Sequence, residues 1–269
     1  MFILNPYIFV APLDSDAQAF ITAVSITDST QKSAINQLVI DLKSANIWTK
    51  MKAIYPFVGG TATSHKFNLK DPRDLDVAYR LVFNGGWTHS STGALPNGTT
   101  AYADTKLAPS AVLTNFSLHL SHYSRTQDSA NTSHDIGSET ATSANNLDLF
   151  QYFAGSVLKK GFIDGAYPSN AVQVNNTNTL GFQIGSRTSN VLQSLFFNGS
   201  LIGTNTTTKT LGYPSTNMVL AATNTIGTIS AYSSKEIAFS SIGDGLTDAD
   251  AAAFYNAVQA YQIALGRQV

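Results

Sequence analysis

Beyond residue 53 the chain is built of short runs in which apolar residues recur at every second position, broken at close intervals by Asn-Gly and Gly-Gly pairs. Val77, Tyr79, Leu81 and Phe83 alternate with Ala78, Arg80 and Val82. Phe116, Leu118 and Leu120 alternate with Ser117, His119 and Ser121, and Leu180, Phe182 and Ile184 repeat the pattern. A period of two places alternate side chains on one face, so each run predicts a strand with one buried face. Turn signals separate them at Asn84-Gly85-Gly86, Asn97-Gly98 and Gly243-Asp244-Gly245. The clearest hairpin runs from Leu195 to Ile202, where Asn198-Gly199 supplies the two positive-φ positions of a type I′ turn. Many short strands at such spacing predict a mainly β protein, an antiparallel β-sandwich of jelly-roll type. The Ser-, Thr- and Asn-rich segments 124–146 and 203–217 read as exposed loops between strands.

Both ends depart from this pattern. Asp14 caps a short helix through Ala17, Ala19, Phe20 and Ala23, and Asp28 with Gln31 forms a second capping pair. Behind it Ile35, Leu38, Val39 and Leu42 lie on one helical face. At the other end Ile237-Ala238-Phe239 reads as a last strand. Thr247 with Asp250 caps a helix whose apolar face carries Phe254, Val258, Tyr261 and Leu265, and Gly266 ends it. The organisation expected is a docking peptide over 1–13, a helical hairpin over 14–52 and the sandwich over 53–269. The opening segment is apolar, lacks a basic leader region and is interrupted by Asn5-Pro6. Pro6, Tyr7, Ile8, Phe9 and Val10 are expected to bury themselves in a partner protein.

Charged residues make up only 12% of the 269, about half the ~25% of ordinary soluble domains, so Ser, Thr and Asn supply much of the polar surface. The net charge of −1 offers no basic field for phosphates, which argues against nucleic acid as a partner. The chain has no cysteine, which excludes disulfides, thiolate metal sites and cysteine nucleophiles.

Four stretches in order resemble laminin-G-like and concanavalin-A-like jelly rolls. Asn97 to Thr105 resembles an opening strand in which Gly precedes Tyr-x-Asp; residues 116–123 resemble the next core strand. Residues 191–202 resemble the strand, Asn-Gly, strand hairpin, and Ile237 to Tyr255, through Leu246-Thr247-Asp248-Ala249-Asp250, the closing strand and helix start. Upstream, residues 7–14, 19–21, 47–60 and 67–74 resemble a block found in bacteriophage structural proteins. The resemblance implies location on the virion surface, and the position of the block near residue 1 favours a short spike or decoration protein over a long fibre. It further implies other virion proteins as partners through the N-terminus and a host surface glycan or receptor as ligand.

Glucanases of this fold class carry paired carboxylates, and retaining chemistry needs them about 5–5.5 Å apart. The two glutamates, Glu139 and Glu236, are far apart in sequence, with Glu139 in a polar loop. Asp74 and Asp76 sit among Lys70, Pro72 and Arg73, as in a solvated turn with local ion pairs. His65, His89, His119, His122 and His134 show no ligand spacing; His119 and His122, three apart in a strand, point to opposite faces. No catalytic set and no metal set is therefore expected, and the chain reads as a non-enzyme, with a glycan hydrolase or a ligand-free decoration protein as the alternatives. No cofactor is expected. The resemblance keeps calcium at loop ends in view, although Asp244 to Asp248 lacks EF-hand spacing. For a ligand, Trp87, His89 and Tyr123 are the aromatic candidates, while Tyr102 fits the core. Self-association as a homotrimer is expected from the cyclic symmetry of spikes, with Ile47, Trp48 and Met51 either at that interface or closing the helical hairpin on the sandwich.

Overall fold

The computed structural model describes residues 12–114, 116–128, 132–140, 145–154 and 157–269. Two sheets face each other. In one, strands follow the order Ser200–Asn205, Leu192–Phe197, Gly181–Ser189, Leu118–Ser124, Ile237–Gly243, Gly93–Pro96 and Trp87–Ser90, with Met51–Tyr55 also paired to Ile237–Gly243. In the other the order is Ala171–Asn175, Val157–Gly165, Asn146–Ala154, Ser133–Glu139, Val219–Leu220, Tyr102–Asp104 and Val82–Asn84. These pairings are antiparallel, and the expected mainly β sandwich with helical ends is what the chain forms.

Between the sheets lies one core, with Leu118, Leu120, Ile136, Leu147, Leu149 and Phe162 among its members. A second core lies on the far side of the first sheet. There the helices Ser15–Val24, Ser29–Ser44 and Asp248–Ala264 pack on Tyr123, Phe182, Ile184, Phe196 and Phe239. The central strands Leu118–Ser124 and Ile237–Gly243 are therefore buried at every position, one face against the other sheet and one against helices. The caps form as the sequence indicates. Asp14 and Asp28 accept backbone N–H groups of Asp16 and Gln31, and Thr247 and Asp250 form a reciprocal capping box. At the hairpin, Asn198 and Gly199 take φ of 47° and 77°, as a type I′ turn requires.

Four local expectations are corrected. Residues 77–81 do not continue a strand: Asp76–Ala78 is a 3₁₀ turn, Val77 is exposed, and only Val82–Asn84 pairs. The supposed loop 124–146 contains the strand Ser133–Glu139, whose polar sequence hid it. Ile47, Trp48 and Met51 are buried in the helix-side core and present no face to a second subunit. Of the five histidines, expected at the surface or half-buried, His65, His119 and His122 are fully buried.

Buried charge fastens the layers. Arg267 lies under the C-terminal helix and donates to the carbonyls of Pro56, Phe57 and Ala238 at 2.8, 2.7 and 2.9 Å. Asp164 takes Arg187 at 2.5 Å together with Lys209, all three without solvent exposure worth the name. Asp135 pairs with Lys235 at 2.7 Å inside the sandwich. A buried carboxylate needs such partners because isolated burial of charge is costly.

Candidate functional site

The outer face of the second sheet, away from the helices, holds a cavity of about 300 Å³ lined by His134, Glu139, Asp148, Phe150, Ile163 and Tyr167 among others. It is set by two adjacent strands, Ser133–Glu139 and Asn146–Ala154, in which Gly137 faces Asp148 and Glu139 faces Asn146. Leu147 and Leu149 point into the core, so Asp148 and Phe150 point out. His134 and Glu139 are five residues apart and would take opposite faces of a regular strand. A register shift between His134 and Ile136 inserts one extra residue, Asp135, and returns both side chains to the cavity face.

Local packing then brings the three side chains together. One ligand-type atom from each of His134, Glu139 and Asp148 lies within 4.8 Å of the others. His134 Nδ1 is 3.1 Å from Asp148 Oδ1, which also accepts from Thr223 Oγ1 at 2.8 Å. Thr225 Oγ1 donates to Glu139 Oε2 at 3.0 Å. Asp148 Oδ2 is buried and has no hydrogen-bond partner. The His134 ring stacks on Phe150 with centroids 5.5 Å apart and planes 25° from parallel. Tyr167 stands at the rim, 44% exposed. Gly137 is needed here: a Cβ would lie 2.3 Å from Asp148 Oδ1 and 2.5 Å from Thr223 Oγ1.

Burial, aided by the Asp148 charge, pushes the Glu139 carboxyl up to about 7, against the opposing influence of His134. Burial disfavours charge on His134 as well, but Asp148 outweighs it and holds the imidazole above its ordinary value. The site thus combines a carboxyl that keeps its proton near neutrality, a second carboxylate and an imidazole beside an aromatic face.

Sequence reasoning missed this constellation because it compared the two glutamates with each other. Glu236 instead pairs with Arg125 at 2.8 Å, on the opposite sheet. The alternation of Leu147 and Leu149 with Asp148 and Phe150 was the legible signal for an outward carboxylate. Asp74 and Asp76 lie in an exposed turn with ion pairs, but their partners are Lys66 and Arg80, while Arg73 pairs with Asp71 and Lys70 donates to the Trp48 carbonyl.

The proposed ligand residues are not brought to this cavity. Trp87 and His89 lie on the edge strand of the other sheet, partly buried, with ring centroids 6.1 Å apart and Phe83 beside both. The Trp87 Nε1 donates to the Asn84 carbonyl at 2.9 Å, and His89 Nδ1 is 2.9 Å from His65 Nδ1. Tyr123 is fully buried beneath the C-terminal helix, its hydroxyl donating to Gln259 and accepting from the Val269 N–H. It is a core residue and offers a ligand no surface. Pro6, Tyr7, Ile8, Phe9 and Val10 lie outside the described residues. Asp244 Oδ2 pairs with Lys52 and Asp250 with Lys50, while Asp244 Oδ1 is buried without a hydrogen-bond partner.

Neither a scan against family models nor a search of curated protein sequences finds a match. Solved structures do match. Botulinum neurotoxin type C, described as dependent on two ganglioside molecules for getting into cells, aligns with a TM-score of 0.55 and 11% identity, over 80% of this chain and 53% of that one. A mutant Trypanosoma rangeli sialidase displaying trans-sialidase activity aligns with a TM-score of 0.51 and 9% identity, over 83% and 39%. The botulinum neurotoxin serotype D binding domain gives 0.52 and 9%, over 78% and 52%. The chain spans about half or less of these proteins. At such identities the likeness carries the fold alone. The expectation of a non-enzyme is corrected: it rested on the absence of a carboxyl pair, and Glu139 and Asp148 form one, in a fold that a sialidase also adopts. The chain is a two-sheet antiparallel β-sandwich with a helical layer on one face, of the fold shared by these toxin and sialidase structures.

Proposed function

We propose that this sandwich is a glycan-recognising domain and that the sugar lies in the cavity of His134, Glu139 and Asp148. The carrying observation is the placement of two carboxyl groups in one concavity with the half-exposed Tyr167 ring at its rim. Sugar rings present apolar C–H faces to aromatics and hydroxyls to carboxylates, so both chemistries are needed side by side. The folds shared with a ganglioside-dependent toxin and a sialidase support the same ligand class. A glycan array with wild-type protein, Tyr167→Ala and Glu139→Gln tests it. Binding to a defined glycan set, lost in both variants, is the expected result; equal binding by the variants refutes the location.

A second reading, glycan hydrolysis at the same place, is favoured by one specific observation: oxygens of Glu139 and Asp148 lie within 4.8 Å of each other. A carboxyl pair is the minimal equipment for glycoside cleavage. Sugar release by wild-type protein and none by Glu139→Gln would establish it. Display of the domain on a bacteriophage particle, docked through Pro6 to Val10, is the proposal carried by the resemblance of residues 7–14, 47–60 and 67–74. Normal incorporation of a protein lacking residues 1–13 into particles would refute that docking.

A further inference from the structure

The cavity contains more than a sugar site requires. Asp148 is wholly buried on the outer side of a sheet, yet its Oδ2 receives no hydrogen bond. A carboxylate oxygen removed from water and left without a donor is costly, and in native structures it marks a missing partner. The neighbouring donors are directed elsewhere. Thr223 is already turned to the other oxygen, Oδ1, and so is His134. The remaining neighbour in the cluster is Glu139, which satisfies that oxygen only by keeping its own proton; a bound cation satisfies it with both carboxylates ionised.

We propose that His134, Glu139 and Asp148 bind a first-row divalent metal ion, zinc or manganese. Ligands at about 2.0–2.2 Å from such an ion stand roughly 3.0–3.4 Å apart at adjacent octahedral or tetrahedral positions. The 3.1 Å between His134 Nδ1 and Asp148 Oδ1 meets this without movement, and Glu139 is within 4.8 Å of both. The donor set decides the metal class. An imidazole nitrogen with two carboxylates suits zinc and manganese, whereas calcium takes six to eight oxygens. The outer layer is also in place. Thr223 and Thr225 each donate to one carboxylate, which fixes its orientation as supporting hydrogen bonds do around metal ligands. Gly137 leaves the room in which the Asp148 carboxylate turns toward the cavity. Three protein ligands leave coordination positions open to the cavity, where two sugar hydroxyls could replace water. Only this last role rests on the reading of the cavity as a glycan site.

The test is calorimetric titration of chelator-treated protein with ZnCl₂, MnCl₂ and CaCl₂, on wild-type, His134→Ala and Glu139→Gln. One equivalent of zinc or manganese should bind, and each variant should weaken it about a hundredfold or more. Cobalt substitution gives a second readout, a visible ligand-field band that His134→Ala should shift or abolish. Glu139→Gln keeps size and the Thr225 contact, so circular dichroism should show it folded even if His134→Ala is not. No binding of zinc or manganese, binding unchanged in the folded variant, or binding of calcium alone overturns the proposal. Repeating the glycan array with and without metal separates the two readings. Glycan binding that persists in chelator, with no metal uptake, sinks the metal site and leaves the sugar site standing. Metal uptake without any glycan binding does the reverse.

Discussion

Phe254→Ala tests whether the helical layer is part of the cooperative fold. Phe254 is fully buried on the C-terminal helix, and its ring meets Phe182 at 5.2 Å, His119 at 5.8 Å and Phe239 at 5.9 Å, all edge-on. Removing a buried phenylalanine costs about 3–5 kcal/mol through lost transfer energy and a residual cavity. Three edge-on ring contacts, each worth about 0.5–1.5 kcal/mol beyond area, place this site in the upper half of that range. For a chain of this size ~4 kcal/mol lowers the melting temperature by about 8–16 °C. Differential scanning calorimetry should show a single transition that moves by this amount, with Phe254→Leu losing much less. A drop below about 3 °C, or an early transition for the helices followed by an unmoved one for the sandwich, would refute the claim that helices and sheet share one core.

Arg267→Ala strips the carbonyls of Pro56, Phe57 and Ala238 of a buried donor and should cost about 3 kcal/mol, read as a lower urea midpoint. Burial lowers His65 to about 3 and His119 and His122 to about 4. The folded state keeps them neutral while the unfolded chain protonates below about 6.5, so their contribution is complete above pH 6.5 and is lost as pH falls toward 4. Each should cost about 2 kcal/mol at pH 5, with His134 acting in the opposite sense; an unchanged urea midpoint between pH 7.5 and 5 would contradict this. Gly137→Ala forces Asp148 and Thr223 aside, with an expected cost of about 1–3 kcal/mol and loss of ligand binding in the cavity. A melt together with a binding titration checks both.

Much of the architecture was legible because it is written locally. Helix caps at Asp14, Asp28 and Thr247 depend on residues two or three positions apart, and the hairpin at Asn198-Gly199 depends on two residues. Alternation at Leu118 to Ser124 and Gly181 to Ser189 identified the strands, since period two is a property of the backbone itself. Alternation did not say which strands would be covered twice. Tyr123, Ile47, Trp48 and Met51 looked available until the helices closed over the sheet, a fact of layer packing.

The cavity belongs to the second category. His134, Glu139 and Asp148 come together only through strand pairing across residues 140–145 and a one-residue shift in register at Asp135. Neither leaves a periodic mark, because a bulge breaks the very period by which strands are read. Caps, turns and alternation, each acting over a few residues, specify a sandwich with helical ends. Which carboxylates meet, and that one of them is buried with an oxygen unsatisfied, was decided by tertiary structure, because register and burial are set by contacts between segments that no single segment encodes.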